Sequence, residues 1–323
     1  SDFQMIGNPF PSTIDWTSPG WSKTNINDAI YYWDAANTRY ATYVNGLGSN
    51  GGTPYIPALQ GFFVTTTGTG GSASISMNNS VRTTSQTPSL WRTSATTQPV
   101  LKLTAQNGSN SDETVVRFSE DASDLFDGSL DALKLKNAGN NPNLFTLTKG
   151  KSYAINSLPL NYIDSTIPLK LEVPVTGTYV ISANQFTGFD TTDIILEDRL
   201  LNISYDLKSS DGYSVTLAKG DTASRLFIKF RRADVVTSLP DHTEGKVTVT
   251  STGKTVNVYF ANIAEKEASV IFLNLIGQEV GRAENVPVAQ GIYSKDLNVS
   301  PGIYLVKVKA GNTVYTEKIY INH

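Results

Sequence analysis

Apolar and polar residues alternate at period two in short runs along the whole chain, and nowhere do apolar residues recur at the spacing of an amphipathic helix. The clearest case is the end of the chain. Residues 303–309 and 313–321 are two such runs, rich in β-branched and aromatic residues, and Ala310-Gly311-Asn312 between them supplies a tight reversal. This predicts a terminal β-hairpin with one apolar and one charged face. Residues 29–33 and 38–44 predict an aromatic hairpin across Asp34-Ala35-Ala36-Asn37, followed by strands at 61–66 and 72–77. Between Met5 and Trp16, Gly7, Pro9 and Pro11 force an extended path read as loop and edge, and residues 25–28 have room for one helical turn. A second hairpin is expected at 100–105 and 114–118. Further strands are expected at 132–135, 144–147, 151–156, 167–173, 177–183, 193–197, 204–207, 212–217 and 225–230. Residues 246–250, 255–260, 268–273, 279–283 and 292–297 precede the terminal pair.

Short strands at regular spacing, with Gly, Asn and Asp at the turns, define an all-β chain. The expected organisation is two β-sandwich or jelly-roll-like modules at 1–98 and 99–238, then an immunoglobulin-like seven-stranded sandwich at 239–323, with 239–245 as linker. A chain of 323 residues is long enough for such a division. Charged residues make up 17% against 39% hydrophobic, with a net charge of -3, a composition typical of extracellular β proteins. No block of Lys and Arg exists to hold a polyanion, so nucleic acid is not an expected partner. The chain has no cysteine, which excludes disulfides, thiolate metal sites and a cysteine nucleophile. It opens Ser1-Asp2-Phe3 without a basic-then-apolar leader or a bilayer-length apolar run, and the expectation is a C-terminal piece of a longer exported protein.

Candidate chemistry is sparse. A nucleophile triad needs a histidine, and the two present are His242 in the expected linker and His323 at the terminus. Glycoside hydrolysis needs two acids about 5 to 10 Å apart; Asp15, Asp34, Glu172 and Glu197 read instead as turn, edge and solvated-face residues. In the acidic segment 120–131, Asp121, Asp124 and Asp127 are spaced by three, not by the two of an EF-hand loop. They remain calcium candidates only for a less regular loop; otherwise the segment is an Asp-rich connection capping its own turns, and no cofactor is expected. Trp16, Trp21, Trp33, Trp91 and several tyrosines raise stacking against a sugar ring, with Tyr31, Trp33, Tyr40 and Tyr43 of the hairpin as the candidate face. Both faces of that hairpin are apolar. Either protein covers both, or one is offered to a ligand.

Three stretches at the end of the chain, Val270 to Val280, Pro301 to Val308 and Lys318 to Ile321, resemble in content and order the C-terminal sorting domain with which Bacteroidetes export proteins through type IX secretion. The resemblance implies an immunoglobulin-like fold and a sorting motif at Gly277, Val280, Pro301, Gly302, Ile303, Tyr304, Val306 and Lys318. It also implies recognition by the outer-membrane translocon, and cleavage with attachment to lipopolysaccharide or release. The opening Gly7-Asn8-Pro9-Phe10-Pro11-Ser12-Thr13-Ile14-Asp15-Trp16 resembles a module repeated in large secreted Bacteroidetes proteins, with Gln60 to Val64 and Met77 to Arg82 as its later landmarks. That module carries no catalytic residues. The expectation is a non-catalytic, surface-attached protein with a structural or adhesive role toward a glycan or host surface protein. The alternatives are a glycan-binding module of a carbohydrate-degrading system, and an enzyme whose catalytic part lies upstream of Ser1.

Overall fold

The period-two runs fold as strands, and the only helical elements among the described residues are 3-10 turns at Asn79–Val81, Leu160–Asp164 and Val288–Gln290. The computed structural model describes residues 3–68, 70–84, 98–209, 211–221, 223–232 and 245–322. Trp91, His242, His323 and most of the expected linker lie outside the described residues.

The first unit contains β1 (Phe3–Gly7), β2 (Ile14–Asp15), β3 (Trp21–Thr24), β4 (Ile30–Asp34), β5 (Arg39–Val44), β6 (Leu47–Ser49), β7 (Tyr55–Ile56), β8 (Gly61–Thr65) and β9 (Ser74–Met77). Five of them form one antiparallel sheet in the order β1-β8-β4-β5-β6, flanked by the ribbons β2-β7 and β3-β9. The stretch read as loop and edge begins with a strand at the edge of this sheet, Phe3 pairing Thr65 and Gly7 pairing Gly61. One expectation is corrected here. No helical turn forms at 25–28, because Asn25 is left-handed (φ 56°) and Ile26 bridges Thr66. The Gly-Asn-Pro opening acts as a clamp: buried Asn8 donates to the carbonyls of Ser12, Ile56 and Pro57 and accepts from Phe10 N.

The second unit contains β10 (Val100–Asn107), β11 (Asn110–Ser119), β12 (Ala132–Leu133), β13 (Asn143–Thr148), β14 (Lys151–Pro159), β15 (Thr166–Glu172), β16 (Gly177–Thr187), β17 (Thr192–Asp198), β18 (Ile203–Asp206), β19 (Tyr213–Leu217) and β20 (Leu226–Arg232). They form an 11-stranded sheet, β18-β17-β20-β15-β13-β14-β11-β10-β16-β19 with β12 on β14, in which β11 and β14 run parallel. Side chains from both halves of this sheet, among them Leu103, Phe118, Ile181, Ile194 and Ile228, share one core. Successive residues of β11 face opposite ways. Val116 and Phe118 enter that core, whereas Val115 joins Val100, Ala132 and Ile155 in packing against Ala29, Tyr31 and Val44 of the first unit. The two units therefore share a core, and β11 is buried on both faces from Thr114 to Ser119.

The third unit contains β21 (Lys246–Thr252), β22 (Thr255–Ala261), β23 (Glu267–Asn274), β24 (Glu279–Pro287), β25 (Ile292–Asp296), β26 (Gly302–Ala310) and β27 (Thr313–Ile321). Sheets β21-β22-β25 and β24-β23-β26-β27 face each other over Val256, Val258, Phe272, Val306, Val308 and Ile321. This is the expected seven-stranded sandwich, and the terminal hairpin pairs in register from Gly302 with Ile321 to Ala310 with Thr313.

Candidate functional site

Most of the motif expected in the third unit builds the domain. Asn274 closes the β23-β24 turn by accepting from Ile276 N and Gln278 N, with Gly277 at φ 81°, a conformation that favours glycine. Val280 packs against the core, and Val306 lies within it. Tyr304 is buried, and its hydroxyl donates 2.7 Å to the carbonyl of Ser300, four residues upstream. This is a tyrosine corner, which fixes the entry into β26. The second unit repeats it: Tyr179, likewise two residues after a glycine, donates 2.9 Å to Val175 O. Tyr304→Phe is expected to lower the stability of the third unit by about 1 kcal/mol, the worth of one hydrogen bond, read as a lower midpoint in thermal denaturation. An unchanged midpoint would show that the corner does not stabilise the unit.

Ile303 and Lys318 point the other way. On the outer face of the four-stranded sheet, Ile303 pairs with Tyr320 and Leu305 with Lys318, while β23 sets Leu273 beside Leu305 and Ile271 beside Lys307. Ile303, at 37%, and Tyr320, at 59%, are well exposed. The outer face of the other sheet is closed: Asn257, Tyr259 and Ala261 of β22 are buried.

What closes it is the second unit. Tyr259 donates 2.8 Å to Asp221 and lies under the guanidinium of Arg225, 5.0 Å from its ring centre, while Thr248 donates to Leu200 O. Arg225 is itself buried and grips Asp198 through Nε and Nη2; Tyr213 donates 2.8 Å to the same carboxylate. Burial and then the Asp198 charge raise the Tyr213 hydroxyl, and burial and then Asp221 raise that of Tyr259, so both stay protonated donors. Gly291 passes so close to Thr216 that an added Cβ would sit 2.5 Å from its Oγ1. A cleft of about 450 Å³ remains at this junction, lined by Tyr205, Tyr213, Tyr259 and Val288 among others.

The seam between the first two units is polar around its apolar centre. Asp112 accepts from Asn50 Nδ2, Leu144 N and Lys134 Nζ, and Asn141 donates to Asn37 O and Thr38 O. Arg117 donates to Asn45 O, Leu130 O and Ser157 Oγ. Beside it, burial raises the Asp131 carboxyl to about 7 against the donors Asp127 N and Ser157 N. The unfolded value is about 3.9, so between about pH 4 and 7 the folded chain retains a proton that the unfolded chain has lost. Stability therefore falls as pH rises through that window, by at most about 1.4 kcal/mol per unit. Urea midpoints at pH 5 and 8 are expected to show this fall, and Asp131→Asn to flatten it; equal slopes in both proteins would contradict the assignment.

The four candidate stacking rings are not brought onto one open face. Tyr31 lies in the shared core and Tyr43 in that of the first unit, so neither has a free ring face. Trp33 and Tyr40 are half-buried and meet edge to face at 5.0 Å. A second aromatic place, weakly marked in the sequence, is a cleft of about 310 Å³ lined by Tyr32, Tyr55, Pro57, Thr13 and Thr53. The three candidate calcium ligands are not gathered either. Asp124 pairs with Lys149 at 3.0 Å, Asp127 accepts from Ser129, and Asp121 is exposed. Among the described residues no group of three or more His, Cys, Asp or Glu is placed to hold a metal ion. The segment instead docks on the first unit, Gly128 O accepting from Asp28 N at 2.7 Å.

These features define an exported all-β protein whose last unit is its address: residues 243–322 match the family described as the Secretion system C-terminal sorting domain. That domain directs type IX export, to the cell surface or the medium, and implies contact with the secretion machinery. Residues 1–230, spanning both units of the body, match a family described as Domain of unknown function (DUF8693), and the chain belongs to that family. No curated protein sequence matches the chain.

Proposed function

We infer that the exported body is a non-catalytic, surface-attached structural or adhesive element. The observation that carries this reading is the seam. A displayed protein under load must keep its units together, and a chain without cysteine does so here by a shared core and by polar bonds across the seam from Asn50 to Asp112, Arg117 to Asn45, and Asn141 to Asn37 and Thr38. Attachment to lipopolysaccharide after export, and a host surface protein as target, belong to this reading, as does a Bacteroidetes origin. In the native host, replacing residues 1–232 with an unrelated exported domain is expected to reduce attachment of cells to surfaces while export continues. Full attachment, or turnover of a glycan or peptide panel by the purified chain, would overturn it.

A second reading, glycan capture, is favoured by the cleft that Tyr32 and Tyr55 line together with Thr13 and Thr53. Binding on a glycan array that Tyr55→Ala abolishes would select this reading; no binding would leave the first.

A further inference from the structure

We propose that the outer face of the sheet β24-β23-β26-β27 is the surface by which the secretion machinery reads this chain, and that its partner is a protein surface with an apolar patch rimmed by carboxylates. The proposal rests on the sorting role of the third unit and specifies the side chains that perform it.

Three observations lead to this face. Of the sorting motif, Tyr304 and Val306 lie in the core and Val280 packs half-buried against it, whereas Ile303 and Lys318 project outward and Gly277 stands exposed on the adjoining turn. The opposite sheet is covered by the body at Tyr259, so docking onto the second unit leaves the four-stranded sheet turned to solvent. Among the described residues, five of the eleven large apolar side chains that stand exposed belong to this unit: Leu275, Ile276, Ile303, Val314 and Tyr320. That is a concentration expected of a binding surface, not of scattered exposure.

The face has two kinds of chemistry. Cross-strand register places Leu273 beside Leu305, and Ile303 beside Tyr320, in an apolar strip over three strands, with Leu275 and Ile276 on the adjoining turn. Around it stand Lys307, Lys309 and Lys318, which make no ion pair among the described residues, whereas Arg282 on the same sheet is held by Glu279 and Glu284. Unpaired lysines around an apolar centre fit a partner with an apolar centre and an acidic rim. Three lysines spread over two strands fall short of the block of about four to eight that holds a protein on anionic lipid.

The test is display in the native host of the full chain carrying either Ile303→Thr with Tyr320→Thr, or Lys307→Glu with Lys318→Glu. Thr keeps strand propensity, and each purified variant is first checked for an unchanged thermal midpoint. Lys254→Glu, on the β21-β22 turn, is the charge control. The expected result is at least tenfold less protein at the surface for both double variants, with periplasmic accumulation, and normal display for the control. Normal display of both double variants would overturn the proposal. So would a dimer of the purified chain that these substitutions dissociate, or their loss of binding to lipopolysaccharide vesicles, since the occupant would then be a second copy or a lipid. A chain ending before residue 245 is run beside them. If that truncated chain is displayed, the sorting role itself has failed; if it is retained while both double variants are displayed, only the assignment of the face has.

Discussion

Asp112→Ala is expected to lower the stability of the body by about 3–5 kcal/mol, the cost of removing one member of a buried ion pair. Asp112 is fully buried, and the Lys134 side chain is 2% exposed. The substitution leaves an ammonium without a counter-charge, and strands Asn50 Nδ2 and Leu144 N, which the carboxylate now accepts at 2.8 and 2.6 Å. Losses of this size approach the whole stability of a domain. The measurement is the urea midpoint of the purified chain. Asp112→Leu with Lys134→Met is expected to recover most of the loss, because an apolar pair replaces a charged one without leaving a buried charge. A loss below about 1 kcal/mol for the single variant would mean that water reaches Lys134 and that the seam is not dry.

Arg225→Ala is expected to cost about as much, about 3–5 kcal/mol, and to loosen a different joint. Asp198 would keep only Tyr213 Oη and the weaker donors Leu200 N and Leu201 N. Tyr259 would lose the cation over its ring and keep Asp221. Hydrogen exchange is the discriminating readout. Amides of residues 255–261 are expected to lose protection well below the melting temperature in Arg225→Ala, and to keep it in Tyr213→Phe, which spares the ion pair. Equal protection in Arg225→Ala and the parent chain would show that the sorting unit does not depend on this contact.

Most strands were legible because period-two alternation records a sheet with one face in a core, as in the terminal hairpin of β26 and β27. β1 and β3 were not, because they lie at sheet margins with Met5 and Lys23 exposed and without buried–exposed alternation; nor were β2, β6 and β7, which are only two or three residues long. Long-range pairing was also hidden. Alternation shows that both faces of Ile30-Tyr31-Tyr32-Trp33 are apolar, but not that Val115 and Ile155 lie against one of them. The same limit applied to charge. Arg225, Asp198 and Tyr259 are far apart in sequence, and no spacing announces that they meet. The sorting motif was readable as a string, yet its division into core residues and outward ones needed the register of β26 against β27.

The third unit addresses the chain for export. The direct test of this role is the distribution of the protein in its native host, by surface protease accessibility and periplasmic fractionation, with and without residues 245–322. The intact chain is expected to reach the surface or medium, and the shortened chain, still folded, to stay in the periplasm. Equal surface display of the two would contradict it.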